Sequence, residues 1–203
     1  MPRYRTRSWR AFDPAPVVAQ PAPALNVRIL GLDPGSRSTG FGVIECSGAD
    51  YAHVAHGCIA VAGVALAQRL RMIFEALQRL IVEHRPGEIA VERVFVNRNV
   101  DSALKLGQAR GAALCAVPAG VPVFEYAPRA IKLALVGSGA AEKVQVAHMI
   151  RTLLRLQGRI APDASDALAI AVCHAHARRL QQLAHAHCGE SGVSRTPRRD
   201  TVA

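Results

Sequence analysis

Residues 28–45, RILGLDPGSRSTGFGVIE, constrain the fold more than any other part of the chain. Ile29-Leu30-Gly31-Leu32 reads as a short apolar strand ending on a carboxylate, Asp33. A Pro34-Gly35-Ser36 turn follows, then a second strand from about Thr39 that contains Gly40 and Gly42. Glycine inside a strand marks a place where something comes close to the backbone. A carboxylate at the end of a buried strand is costly to desolvate unless a partner meets it. Something is therefore expected to bind beside Asp33, and the rest of the sequence must say what.

Strand signals occupy 27–32, 39–46 and 53–61, the last two separated by the turn cluster Ser47-Gly48-Ala49-Asp50. A helix is predicted over 65–84, where Leu66, Leu70, Ile73, Leu77, Leu80 and Ile81 recur at helical spacing. His84-Arg85-Pro86-Gly87 stops it. A short strand from Glu88 to Arg93 brings a second strand-end carboxylate, Glu92. Residues 100–116 read as helix, Pro118 to Gly120 as turn and Val121 to Tyr126 as a fifth strand. Helices follow at about 128–135 and 141–156, and a last one runs from near Asp163 past Ala177. Three consecutive strands followed by alternating strand and helix predict an α/β fold. Its sheet is mixed and five-stranded with flanking helices, an antiparallel meander extended by parallel strands through helical crossovers. There is no internal repeat.

A chain of 203 residues, half of them hydrophobic, suits one domain of ordinary size with flanking tails. No apolar run reaches the ~18–20 residues that span a bilayer, so no membrane partner is expected. Arg3, Arg5, Arg7 and Arg10 precede no apolar stretch, which argues against a secretory signal. The Ala/Pro-rich residues 11–25 read as linker. Residues 1–26 are expected to be a disordered arm or a start-site artefact, 27–186 the domain, and the polar 187–203 a disordered tail. The tails carry +3 and +1, so +6 of the chain's +10 belongs to residues 27–186. A basic domain points to a polyanionic partner, most often nucleic acid. Five cysteines, an odd number without CxxC spacing, predict free thiols in a reducing cytoplasm. Cys46 and Cys58 are candidates to face each other on paired strands, although two small buried hydrophobes describe them better.

Four carboxylates sit at unusual places: Asp33 and Glu92 end strands, and Asp163 and Asp166 open the last helix. A spacing of three puts the two helical acids on one face. Helix dipoles favour acids at that end, so a capping role competes for Asp163. Asp166 is harder to explain that way, because Ala167-Leu168-Ala169-Ile170-Ala171-Val172 is apolar all round and buries the helix. If strands one and four are neighbours and this helix crosses them, the acids converge, repel and raise one another's pKa. A hard divalent cation such as Mg²⁺ relieves that repulsion. Two such ions about 4 Å apart clamp the oxygens of an in-line phosphodiester displacement. A strand-end Asp also holds Mg-nucleotide in actin-like ATPases, but that fold needs two such domains and a longer chain. No P-loop or GxSxG elbow is present. His174 and His176, and His185, His187 and Cys188, raise a soft-metal site, but histidines two apart on a helix diverge, so solvated or packed roles fit better.

These residues resemble the RuvC Holliday junction resolvases of bacteria. ILGLDPGSRSTGFGVIE, AVERVFVNRNVDSALKLGQARGAAL, VPVFEYAPRAIKLALVGSGAAEKVQVAHMIRTLL and DASDALAIAVCHAH appear in family order over about residues 27–177. SALKLGQARG and DASDALAIA are the most specific. The resemblance implies a ribonuclease H-like fold and a homodimer that nicks two symmetric strands of a four-way DNA junction, in recombination and repair. It implies two Mg²⁺ per subunit, with Mn²⁺ as a substitute, held by the catalytic acids Asp33, Glu92, Asp163 and Asp166. It implies 5′-phosphate and 3′-hydroxyl products and a partnership with the RuvA–RuvB branch-migration complex. Lys132 and Lys143 correspond to the family's basic DNA-contacting residues, and Phe95 to an aromatic that stacks on an unpaired base. Arg93 departs from the usual neutral residue, and on a strand it points away from the face of Glu92. Lys105, Gln108 and Arg110 of KLGQARG are divided between phosphate contact and helix packing. Two other readings stand beside this one: a non-catalytic junction-binding protein, and a ribonuclease H-like nuclease for another structured nucleic acid.

Overall fold

The computed structural model describes residues 26–93 and 100–190, with side chains through 184. Ten elements follow one another in the order β1 (Asn26–Asp33), β2 (Ser38–Ser47), β3 (Asp50–Ala60), α1 (Leu66–His84), β4 (Glu88–Glu92), α2 (Val100–Cys115), β5 (Val123–Tyr126), α3 (Pro128–Val136), α4 (Lys143–Leu153) and α5 (Pro162–Glu190). The sheet order is β3-β2-β1-β4-β5. β1, β2 and β3 form an antiparallel meander, and β4 and β5 join β1 in parallel. This is the predicted mixed sheet.

Side-chain alternation along each strand sorts residues between two faces. Leu30, Leu32, Ile89 and Val91 face one way and pack with Ile73, Leu77 and Ile81 of α1 and Ala109 and Ala113 of α2. Ile29 and Ala90 face the other way and pack with α3, α4 and α5. Gly31, Asp33, Glu88 and Glu92 share that second face by the same alternation. The run after Asp166 in α5 is buried all round, as expected, with Ala164 and the whole of Ala167–Cys173 buried.

The ends of several elements differ from expectation for local reasons. The β2–β3 hairpin is tighter than expected, turning on Gly48 and Ala49 alone, so β3 starts at Asp50 rather than 53. α1 ends at His84 as read, with Arg85 itself in the left-handed conformation (φ 48°) and its N–H donating to the Ile81 carbonyl. α4 is shorter than 141–156. It opens with a reciprocal Glu142–Gln145 capping box and ends before Arg155, which is also left-handed (φ 51°). α5 continues to Glu190, past the expected domain end at 186. Cys46 and Cys58 do not face each other: Cys46 pairs with Tyr51 and is buried, whereas Cys58 pairs with Gly40 and is exposed. The described cysteines are free. Among the described residues no helix is long and apolar enough to cross a membrane.

The glycines of the opening stretch meet α5. A Cβ on Gly31 would stand 2.1 Å from the Ala167 carbonyl oxygen and 2.8 Å from the Ala171 nitrogen. One on Gly40 would stand 2.0 Å from the Asp163 carbonyl oxygen. These are backbone atoms, so only movement of the helix relieves the overlap. Overpacking of this kind costs about 1–3 kcal/mol or more. Gly31→Ala is expected to lower unfolding free energy by at least about 2 kcal/mol in urea titration. An unchanged midpoint would mean that α5 does not lie against β1.

Candidate active site

Parallel pairing of β1 and β4 is the first step in building the site. Leu32 pairs with Val91, so the next residues, Asp33 and Glu92, leave the sheet side by side on the α5 face. The second step is the descent of α5 onto glycine. Asp33 pairs with Gly40 across β1 and β2, and Gly40 touches the backbone of Asp163. The acidic first turns of α5 are thereby brought over the two strand ends. All four acids are half-buried.

Their electrostatics record the convergence. The Asp33 carboxyl is pushed from its ordinary 3.8 up to about 7, by burial first and then by the charges of Glu92, Asp166 and Asp163, with Lys143 opposing. Glu92 is also raised, by burial and then by Asp166, again opposed by Lys143. Lys143, the first residue of α4, donates from Nζ to Asp166 Oδ2 at 2.8 Å. A cation in the first turn of a helix opposes the helix dipole, so its position is explained by the acids that it faces.

Could these acids hold a metal? Among the described residues, no three His, Cys, Asp or Glu side chains are already gathered as a metal cage. The donor set is nonetheless all carboxylate oxygen, half-buried and mutually repelling, with one lysine as counter-charge. That chemistry fits a hard, oxygen-loving divalent cation and not a thiophilic one.

The other expected site residues are distributed unevenly. Lys143 is in the site. Lys132 lies half-buried on α3, and the charges acting on Asp33 and Glu92 come from the other acids and Lys143 instead. Phe95 lies outside the described residues. Arg93 is exposed and 3.8 Å from Glu125, and its N–H donates to the Tyr126 carbonyl. Arg110 donates to the same Glu125 at 2.6 Å, and Lys105 to Asp101 at 2.6 Å, so both cations of KLGQARG already have acidic partners. His174 and His176 are packed, as expected, and hydrogen-bond to Tyr126 and Glu88 and to the Ala134 carbonyl respectively.

One contributor escaped the sequence reading. Arg69 of α1 donates to the Ser36 carbonyl at 2.8 Å and to the Val64 carbonyl at 3.2 Å, which ties down the turn after Asp33. In the sequence it is only one of several polar positions on an amphipathic helix. Nothing local distinguishes it from Arg71 or Arg79.

Comparison with known proteins bears directly on this geometry. The family model described as "Crossover junction endodeoxyribonuclease RuvC" matches residues 29–174, a span that holds all four acids. The chain belongs to the RuvC family. It is 57% identical over 155 residues to the crossover junction endodeoxyribonuclease RuvC of Alkalilimnicola ehrlichii, covering 76% of this chain and 94% of that one. It is 58% identical over 153 residues to the protein of the same description from Halorhodospira halophila, covering 74% and 91%. Among solved structures it is similar to T. thermophilus RuvC in complex with a Holliday junction substrate. That match has TM-score 0.72 and 34% identity, and covers 77% of this chain and 97% of that one. The yeast mitochondrial Holliday junction resolvase Ydc2 shares the fold at TM-score 0.58, with 12% identity over 81% of this chain and 86% of that one. The chain is thus a ribonuclease H-like nuclease of a metal-dependent family.

The raised Asp33 pKa has a measurable consequence in the metal-free protein. Asp33 binds its proton more tightly when folded than when unfolded, so ionising it opposes folding. Stability is therefore lost as pH rises from the ordinary 3.8 toward about 7. Asp33→Asn, which cannot ionise, is expected to stabilise the protein at pH 8 by on the order of 2–4 kcal/mol and by less at pH 5. Chemical denaturation in a chelator at the two pH values measures the difference. An equal effect at both would mean that folding does not hold the Asp33 carboxyl above its ordinary range.

Proposed function

We propose that this chain resolves Holliday junctions by paired, symmetric, Mg²⁺-dependent nicks in homologous recombination and DNA repair. The convergence of Asp33, Glu92, Asp163 and Asp166 at one end of the sheet, where burial and then the neighbouring charges push Asp33 up to about 7, carries this reading. Family membership and the description of a relative in complex with a Holliday junction substrate support the choice of DNA substrate.

The residues divide the work as their chemistry dictates. Asp33, Glu92, Asp163 and Asp166 would hold two Mg²⁺ per subunit, with Mn²⁺ able to replace them. When bound, the ions neutralise the attacking and leaving oxygens of an in-line phosphodiester displacement. Asp33 and Glu92, rigid at the ends of paired strands, fix one side of the site. Asp163 and Asp166 bring the other side on a buried helix. Lys143 supplies a mobile positive charge, its side chain 80% exposed, able to move from Asp166 to a backbone phosphate. Lys132 and Phe95 are assigned to the DNA, the first to a phosphate and the second to stacking on an unpaired base. The turn after Asp33, held by Arg69, keeps the approach open for the scissile phosphate. Hydrolysis would leave 5′-phosphate and 3′-hydroxyl ends that a ligase can seal.

A junction has two-fold symmetry, and two symmetric nicks call for two sites related by a dimer axis. The exposed face of α2 supports a homodimer. Val100 and Leu104 are 76% and 60% exposed, and a Cβ added at Gly107 or Gly111 meets nothing within 4 Å. These positions fall on one side of the helix at the spacing that brings two helices together. The RuvA–RuvB complex, which migrates junctions, is the partner assigned to the assembled enzyme, working in the cytoplasm.

Two measurements test the proposal. The wild type is expected to nick a mobile synthetic four-way junction at symmetric positions with Mg²⁺, while Asp33→Asn keeps junction binding and loses at least about a hundredfold in rate. Binding without Mg²⁺-dependent cutting would favour a junction-binding protein, and preference for a fork or an RNA–DNA hybrid would favour another ribonuclease H-like nuclease. Leu104→Glu is expected to yield monomers in sedimentation and to uncouple the two nicks, since a charge there opposes apolar association. A dimer that survives this substitution has its interface elsewhere.

A further inference from the structure

A second polar cluster lies deep under α5, and it borders the acids through Tyr126, the β5 register partner of Glu92. Arg178 Nε donates to Glu88 Oε1 at 2.9 Å, and His174 Nε2 stands 2.7 Å from Glu88 Oε2. On the other side of the same imidazole, Nδ1 stands 2.7 Å from the Tyr126 hydroxyl. With Nε2 donating to the carboxylate, Nδ1 is left to accept from the phenol. Phe124 stacks on the ring at 4.3 Å between centroids. The side chains of His174, Arg178 and Glu88 are only 3%, 6% and 14% exposed. Burial works to raise the Glu88 carboxyl, but the hydrogen bonds from His174 and Arg178 outweigh it and hold it below its usual range. The result is one continuous row, Tyr126–His174–Glu88–Arg178, that joins β5, β4 and α5.

Stability alone does not account for this row. A buried ion pair returns little more than its desolvation costs, and apolar replacement is often neutral or stabilising. The apolar contact that it accompanies is unusually smooth. Gly31 faces Ala167 and Ala171, Gly40 faces the backbone of Asp163 and Ala164, and Leu168 over Gly42 is the one large side chain set against these three glycines. Small side chains allow close approach, but they offer few knobs to fix a helix along its axis. Short hydrogen bonds are directional and do fix it. The row also acts on the elements that carry the acids. Glu88 lies four residues before Glu92 on β4, and His174 and Arg178 lie about two and three turns after Asp166 on α5. A slip of one residue moves a helix by about 1.5 Å, whereas metal–ligand distances tolerate only about 0.2 Å.

We infer that the Tyr126–His174–Glu88–Arg178 row sets the axial register of α5 against β4, so that Asp163 and Asp166 meet Asp33 and Glu92 within reach of a shared cation. The inference rests on reading the four acids as a divalent-cation site. These are positioning residues: Tyr126 is the β5 register partner of Glu92, and the effect of the row is carried by the helix and strands that hold it.

Metal binding to the free protein tests this without relying on turnover. The apolar variant Glu88→Leu/His174→Phe/Arg178→Met removes the row at similar volume, and Tyr126→Phe removes only its terminal hydroxyl. Mn²⁺ binding is read by electron paramagnetic resonance, beside thermal melting and junction binding in chelator. The triple variant is expected to melt near the wild type and bind junction as well, yet lose at least about tenfold in Mn²⁺ affinity. Tyr126→Phe should show a smaller loss in the same direction, and it carries the test alone if the triple variant does not fold. Unchanged Mn²⁺ affinity in the folded row variants, beside a clear loss in Asp33→Asn, overturns the role of the row. Unchanged affinity in Asp33→Asn as well overturns the cation-site reading, and the role of the row falls with it.

Discussion

The contact of α5 with the glycines of β1 and β2 is the constraint on which the rest of the molecule depends. Gly31 lies against the backbone of Ala167 and Ala171, and Gly40 against that of Asp163. Any side chain at these strand positions would hold the helix off the sheet. With the helix down, its first turns reach the ends of β1 and β4, and two pairs of acids from distant parts of the chain share one site. The same descent buries Ala164 and the run Ala167–Cys173. It thus closes the larger part of the core on that face. Core and site are products of a single packing decision.

That decision has an electrostatic cost, visible in the raised carboxyls of Asp33 and Glu92. A protein built for stability alone would not hold four acids together with one lysine between them. Lys143 relieves part of the repulsion, but its side chain is largely exposed, and exposed ion pairs contribute little. The remaining imbalance favours binding of further positive charge. On the other side of the site the turn after Asp33 is held by Arg69, and α5 itself is bonded through His174 and Arg178. Glu88 and Glu125 thus each meet positive charge of their own, whereas the four acids share one lysine. That contrast marks where a ligand belongs.

Much of this was legible from the chain. The strand-end positions of Asp33 and Glu92, the glycines at 31, 40 and 42, and the all-round apolar run after Asp166 each carry a local signature. The acids and the apolar run predict a helix lying on a sheet with acids at its start, whereas the glycines signal only a close approach, and packing decides that α5 makes it. Element ends were less legible. β3 began earlier and α4 stopped sooner than predicted, because Gly48-Ala49 suffices for a hairpin and Arg155 adopts a left-handed backbone that its residue type does not announce. Of the two cysteines expected to be small and buried, Cys46 is and Cys58 is not: a tight hairpin sets Cys46 opposite Tyr51, and Cys58 lies exposed on the edge strand β3 opposite Gly40.

By itself the sequence determined the class of the fold, the family and the identity of the four acids, because strand alternation, helical period and motif spacing are properties of neighbours along the chain. Only the tertiary structure decided how strongly the acids act on one another, and that Lys143 rather than Lys132 joins them. It alone revealed that Arg69 holds the turn after Asp33 and that Glu88, His174, Arg178 and Tyr126 form one buried row. The physical reason is distance along the chain. Glu88 and Arg178 are 90 residues apart, and Arg69 and Ser36 are 33 apart. No local pattern encodes a contact made only when separate elements pack.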